Sequence, residues 1–295
     1  MRFGAQMSTA GGLSYAFERG REAGCEALLI FTKSNRQWAA KPLSDEDVAA
    51  FKAAAAAHAG IHPVAVHASY LINVGSSDPD LWRRSYDSLK EELLRATALG
   101  AKTLTFHPGA AMQAGERAGL ENVGRALRRL LAETPDDGAT VCLETMAGTG
   151  TTLGHRFEQF AYLLEMATPP AGGRLGVCFD TCHVHSAGYD LVTAEGYAAT
   201  LAEFERLIGL EHIRCFHFND SKHKAGERKD RHEHIGRGQL GLEAFGHFVR
   251  DPRWVEHAAF LETPKEETAE DGTVTEMDPV NLAALIALRG EPETG

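Results

Sequence analysis

Two things are scarce in this 295-residue sequence: basic residues and apolar runs. Lys and Arg number 30 against 41 Asp and Glu, a formal charge of −11, which argues against nucleic-acid binding through a simple basic surface. The longest run of bulky apolar residues, Ala27 to Phe31, falls far short of the roughly 20 residues that span a bilayer. The start, MRFGAQMSTAGG, has no apolar segment behind a basic one, so neither a membrane span nor a signal peptide is expected. The cysteines, Cys25, Cys142, Cys178, Cys182 and Cys215, are odd in number and lack CxxC spacing, which predicts reduced thiols in a cytoplasmic protein. Nor does a glycine-rich phosphate turn follow the first candidate strand; Gly11-Gly12 is only a pair, which disfavours an open dinucleotide-binding sheet. With 43% apolar and 24% charged residues, the chain can still bury a large core.

Short runs rich in Val, Ile, Leu and Phe alternate with stretches of helical period, the pattern of repeated βα units around a parallel sheet. Strands are predicted near 2–8, 27–33, 63–69, 102–107, 140–146, 175–181, 213–219 and 258–263. Helices are predicted at 13–23, 44–59, 79–99, 116–133, 155–167, 193–208, 241–250 and 278–289, the second opened by Ser44 with Asp47 three residues on, close to a capping box. Eight such units predict an α/β protein, one closed (β/α)8 TIM barrel over residues 1–295. The acid-rich stretch from Pro264 to Asp278 reads as a solvated loop before the last helix.

Polar residues interrupt these strands in phase. His67 ends PVAVH, His107 ends TLTFH, Glu144 ends TVCLE, Asp180 ends GVCFD, His217 lies in IRCFHF and Glu262 ends AAFLE, one per βα unit. In a barrel the carboxyl ends of the strands converge on one face, so residues distant in sequence become neighbours there. A lone histidine or carboxylate ending an apolar strand reads as a capped or hydrogen-bonded core residue. Six in phase read as a metal site. Two loops offer more candidates: CFDTCHVHSAGYD holds His183 and His185, and KDRHEHIG holds Asp230, His232 and His234. Spacing does not choose between His183 and His185, or between His232 and His234. A set of five histidines and four carboxylates exceeds the roughly four ligands of a single zinc and suits two or three ions. Mixed imidazole and carboxylate ligands fit Zn2+, with Mn2+ or Fe2+ also compatible, rather than Ca2+ or Mg2+. Three divalent ions would outweigh four carboxylates and leave a positive pocket in an acidic protein, suited to a phosphate diester.

The motifs HASYLINVG (67–75), LETMAGTGTTLG (143–154), GVCFDTCHVHSAGYD (176–190), FHFNDSKHKAGERKDRHEHIGRGQLG (216–241) and LETP (261–264) closely resemble the endonuclease IV family of apurinic/apyrimidinic endonucleases, over nearly the whole chain. The resemblance implies a TIM barrel whose three zinc ions hydrolyse the phosphodiester 5′ to an abasic site in duplex DNA, leaving a 3′-hydroxyl and a 5′-deoxyribose phosphate. It assigns His67, His107 and Glu144 to one ion. Glu144 bridges to a second held by Asp180, His217 and Glu262, and His183, Asp230 and His232 hold the third. It implies a hydroxide nucleophile between the first two ions, oriented by Glu262. Arg36, Gln37 and Tyr70 would contact a duplex whose abasic nucleotide is flipped out, an extrusion made cheap by lost pairing and stacking. Without the resemblance, Arg36 and Tyr70 read as a surface arginine and a strand-end tyrosine packed on a helix. Lys33 reads as part of a phosphate-contacting loop. Gln6, Ala110 and Thr145 depart from the family pattern, at none of the nine ligand positions. A monomer is expected, with no membrane partner.

Two rivals remain at this level. Glu144, Asp180, His217 and Glu262 alone resemble the single-metal site of sugar isomerases and epimerases of the same barrel superfamily, which would not require His67, His107, His183, Asp230 and His232. A metal-stabilised protein that binds damaged DNA without cutting it would need a closed coordination shell.

Overall fold

The computed structural model describes residues 1–167 and 173–290. Its chain order is β1 (Arg2–Gln6), α1 (Tyr15–Ala23), β2 (Ala27–Ile30), α2 (Asp45–Ala57), β3 (Val64–His67), α3 (Pro79–Leu99), β4 (Thr103–Phe106), α4 (Glu116–Glu133), β5 (Thr140–Glu144), α5 (Phe157–Ala167), β6 (Leu175–Asp180), α6 (Thr181–Ala187), α7 (Ala194–Leu207), β7 (Ile213–His217), β8 (Asp220–Ser221), β9 (His232–Glu233), α8 (Gly241–Val249), β10 (Ala258–Leu261), β11 (Glu266–Thr268), β12 (Val274–Glu276) and α9 (Met277–Ala287). Eight strands close into a barrel in the order β1-β10-β7-β6-β5-β4-β3-β2, every pair parallel. The expected (β/α)8 barrel is therefore the observed fold. Among the described residues no helix is long and apolar enough to cross a membrane.

Local chemistry explains the boundaries. Helix α3 starts where Asp78 accepts the N–H groups of Asp80 and Leu81 and Pro79 takes the first turn; it stops at Gly100, whose φ of 77° is left-handed, a conformation glycine adopts freely. Helix α2 opens on the predicted capping box, with Ser44 Oγ accepting Asp47 N–H at 3.1 Å and Asp47 Oδ2 accepting Ser44 N–H at 3.3 Å. The observed strands are shorter than predicted, mostly because they end earlier at the carboxyl side, where the chain leaves the ladder for the site loops.

Five of these elements were not foreseen. The chain turns directly from β6 into α6, β8 pairs with β9, and β11 pairs with β12 in an antiparallel hairpin. The expectation of a loop over 264–278 is corrected accordingly. The hairpin is exposed but held at its base by Lys265, whose Nζ lies 2.8 and 3.0 Å from the carboxylate oxygens of Asp278.

Alternation along each strand separates two layers. Outward residues such as Leu28, Val66, Leu104, Val141, Val177 and Leu261 pack against the helices, while Ala27, Leu29, Ala65, Cys142, Cys178, Cys215 and Phe260 form a separate cluster inside the barrel. All five cysteines are free and buried. Gly4 faces this interior; a Cβ there would stand 2.1 Å from the carbonyl oxygen of Ala27 on the neighbouring strand. Gly4→Ala is expected to lower unfolding free energy by about 3 kcal/mol or more, whereas Gly60→Ala, where a Cβ meets nothing within 4 Å, should change it little. Urea denaturation of both variants checks this.

Candidate metal centre

The barrel alternation continues to its open end. Glu144 follows Cys142, Asp180 follows Cys178 and His217 follows Cys215 at a spacing of two, so each sits directly above a buried thiol. His67 ends β3, and His107 and Glu262 come one residue after β4 and β10.

Donor atoms at this end fall into overlapping groups whose members lie within 4.8 Å of one another: His67, His107 and Glu144; Glu144, Asp180, His217 and Glu262; and His183, Asp230 and His232. Glu144 is fully buried and shared between the first two. Its Oε2 lies 3.0 Å from His67 Nε2 and 3.2 Å from His107 Nε2. Its Oε1 lies 3.0 Å from His217 Nδ1. His217 Nδ1 is also 3.0 Å from Glu262 Oε2. In the third group, Asp230 Oδ1 stands 3.2 Å from His183 Nε2 and 3.3 Å from His232 Nε2.

Backbone carbonyls fix which ring nitrogens are free. The Nδ1 atoms of His67, His183 and His232 lie 2.7, 2.8 and 3.2 Å from the carbonyl oxygens of Ala68, Thr145 and Glu262. A carbonyl can only accept, so Nδ1 carries a proton, and whenever the ring is neutral its Nε2 lone pair faces the carboxylates. The buried atoms His183 Nε2, His217 Nε2, His232 Nε2 and Glu262 Oε1 have no hydrogen-bond partner. Lone pairs facing carboxylates, with orphaned buried atoms among them, are the signature of a donor set built for cations. These residues fit divalent metal ions.

Helix α6 gives His183 and His185 different surroundings. Asp180 caps it by accepting the N–H of His183 at 2.7 Å, and that first turn brings His183 over the site. His185, two residues on, is buried outside every one of these groups. His234 instead meets Asn281 Nδ2 at 3.1 Å. Cys182 lies near Asp180 and His232, but burial pushes its thiol up to about 12, which keeps it a protonated, poor ligand.

Asn219 was missed from the sequence. Its Nδ2 donates to Asp180 Oδ2 at 2.7 Å and its Oδ1 accepts the N–H of Glu262 at 2.8 Å, so one buried amide sets two carboxyl-bearing residues. The only signal was its place two residues past His217 in FHFND. Thr145, one of the departures from the family pattern, does similar work: its hydroxyl accepts the N–H of Asp180 at 2.8 Å.

The rim residues named from the resemblance lie on two loops that touch. Tyr70, 47% exposed, stacks on His107 with ring centroids 5.4 Å apart and lies edge-on to His67 at 5.2 Å. Arg36 and Gln37 are exposed on the loop after β2, which Ser69 Oγ joins to the Tyr70 loop by donating to Asn35 O at 2.9 Å. The amine of Lys33, in the loop that the resemblance sets against phosphate, turns inward onto Ser88 and Glu91. A cavity of about 630 Å³ opens beside the centre, lined by Gln6, Asn35, Lys41, Arg95 and Lys265 among others.

Comparison with known proteins decides the family. Residues 17–281 match the family described as xylose isomerase-like TIM barrel. A probable endonuclease 4 of Chloroflexus aggregans is 50% identical over 288 residues, 97% of each chain, and that of Trichlorobacter lovleyi is 45% identical over 97% of this chain and 98% of its own. The chain belongs to the endonuclease IV family. By that membership it is an apurinic/apyrimidinic endonuclease, a DNA-repair enzyme. The crystal structure of endonuclease IV from Thermus thermophilus superposes with a TM-score of 0.82 at 34% identity, covering 98% of both chains. A D-tagatose 3-epimerase-like protein also superposes, with a TM-score of 0.71 over 97% of this chain and 96% of its own, but at 19% identity that likeness concerns the barrel alone.

The cluster's demand for positive charge gives a pH prediction. Burial alone would lower the ring pKa of His183 and His217, yet Asp180 and Asp230 hold the first, and Glu262 and Glu144 the second, well above the ordinary 6.5. Burial would raise Glu144, but His217 and His107 hold it well below 4.5. The raised imidazoles contribute stability that is complete below pH 6.5 and lost as pH climbs through their folded values. The lowered carboxyl contributes stability present above pH 4.5 and lost on acidification. Metal-depleted protein is therefore expected to be most stable between about pH 4.5 and 6.5 and to melt at falling temperature toward alkaline pH. The metal-loaded form should not, because deprotonated ligands bind metal better. Thermal melts of both forms across this range check the sign; a metal-depleted form that gains stability with rising pH contradicts it.

Proposed function

We propose that this enzyme hydrolyses the phosphodiester 5′ to an abasic site in duplex DNA, leaving a 3′-hydroxyl and a 5′-deoxyribose phosphate, at a centre of three zinc ions. Mn2+ or Fe2+ fit the same donors. The observation that carries this reading is the sharing of Glu144 between two donor groups, with the third group alongside: a single-metal epimerase site needs only the set of Glu144, Asp180, His217 and Glu262. His67, His107 and Glu144 would hold the first ion, Glu144, Asp180, His217 and Glu262 the second, and His183, Asp230 and His232 the third. Ions held there supply Lewis acidity to a phosphate diester, activation of water near neutral pH and charge for the departing 3′-oxygen.

The chain's own residues have distinct tasks in this reading. Glu262 is held by Asn219 through its backbone N–H, and its buried, unpartnered Oε1 would orient the attacking water. Glu144 keeps two donor groups at fixed separation. Tyr70, over His107, shields the centre and, with Arg36 and Gln37, faces the gap left by the extruded nucleotide. No strand-end lysine stands ready to form a Schiff base, and the buried amine of Lys33 is engaged by α3, so the residues favour hydrolysis over elimination.

A duplex containing tetrahydrofuran, which cannot open to an aldehyde, is expected to be nicked on its 5′ side, giving a 3′ end that a polymerase extends; a strong chelator at raised temperature should abolish the nick. An intact tetrahydrofuran duplex beside a cleaved natural abasic duplex would sink the hydrolytic reading. Glu144→Gln should lose more bound metal than Glu267→Gln at an exposed position, measured by elemental analysis; equal content removes the bridging role. Arg36→Ala and Tyr70→Ala should weaken cleavage with metal retained, and added salt should slow the wild type as phosphate contacts release counterions. Steady-state kinetics in which both variants match wild type would refute the rim assignment.

A further inference from the structure

Helix α3 buries a second, polar face. Ser88, Glu92 and Arg95 recur at helical spacing and are buried, while Leu89, Leu93 and Ala96 supply the apolar stripe of the core. A helix packed on a barrel needs only the apolar stripe. The polar one meets the two rim loops. Lys33, its side chain 2% exposed, places Nζ 2.9 Å from Ser88 Oγ, 3.1 Å from Glu91 Oε2, 3.3 Å from Trp38 O and 3.6 Å from Glu92 Oε1. Arg95 donates to Thr32 Oγ1 at 3.3 Å and to Lys41 O at 3.0 Å, gripping both ends of the loop that carries Arg36 and Gln37. Glu92 Oε1 accepts the N–H of Ser69 at 3.0 Å, the residue before Tyr70.

Burying an ammonium and a carboxylate is a poor way to gain stability, since apolar residues of similar volume serve as well or better. What the charges add is direction: one lysine and one glutamate fix two separate loops against one rigid helix, and Ser69 Oγ to Asn35 O closes the circuit. We propose that Lys33 and Glu92 are positioning residues for DNA recognition, locking the loop of Arg36 and Gln37 and the loop of Tyr70 into one rim in register with the metal centre. The proposal rests on the DNA-cleavage reading above. Neither residue touches the reacting atoms; both act through the loops.

The test compares Lys33→Met, Glu92→Gln and the double variant with wild type, all metal-loaded and full-length, by thermal unfolding, amide hydrogen exchange and steady-state cleavage of a tetrahydrofuran duplex. Lys33→Met alone should lower Tm because it strands a buried carboxylate, and the double variant should recover it because both charges are gone. A purely structural role ends there. Positioning predicts that the double variant, at wild-type Tm and metal content, still exchanges faster over residues 33–38 and 69–71. Its KM should rise about tenfold while kcat stays within about twofold. Unchanged exchange or unchanged KM in the double variant overturns the positioning role. Wild-type protein that leaves the duplex uncut overturns the cleavage reading instead, and the purpose assigned to the rim falls with it.

Discussion

The structure is organised around a charge imbalance that protein atoms do not resolve. Glu144, Asp180, Asp230 and Glu262 converge on five imidazoles, three of which are turned by backbone carbonyls so that Nε2 faces the carboxylates. Like charges about 4 Å apart repel by roughly 4 kcal/mol at an effective dielectric of 20, so such a set persists only if protons or metal ions enter it. The raised histidine and lowered glutamate values are the proton answer to that demand; metal ions are the other. Much else near the barrel mouth, from the Asp180 cap on α6 to the buried amide of Asn219, serves to hold these donors in place.

The barrel meets this demand through strand alternation. Inward positions carry small or apolar side chains below, with the thiols of Cys142, Cys178 and Cys215 among them, and donors at the top. A dry floor beneath the donors strengthens every electrostatic interaction above it. In the proposed reading the net charge of −11 does not argue against a DNA substrate, because the attraction for phosphate would arise locally, from ions held at one end of an otherwise acidic molecule.

That alternation is also why so much was legible in the sequence. Six donors end apolar strands one βα unit apart, and the period of two puts them on one face without any knowledge of the loops. What could not be read depended on geometry beyond the strands. Choosing His183 over His185 needed the immediate turn from β6 into α6, which an Asp cap sets and the pattern FDTCHVH does not announce. Asn219 carries no charge and ends no strand, so nothing marked it as the link between Asp180 and Glu262. Lys33 was readable only as part of a loop after the second strand; the burial of its amine against α3 depends on Ser88, Glu91 and Glu92, more than fifty residues away. The acid-rich 264–278 stretch read as solvated, which it is as far as residue 276, but composition did not show that it pairs with itself as a hairpin.

The central claim, that the converging donors hold three ions sharing Glu144, is tested most directly by a crystal structure of the metal-loaded protein with anomalous difference maps collected at the zinc absorption edge. The account predicts three peaks: one among His67, His107 and Glu144, one among Glu144, Asp180, His217 and Glu262, and one among His183, Asp230 and His232. A single peak, confined to the group of Glu144, Asp180, His217 and Glu262, would contradict it.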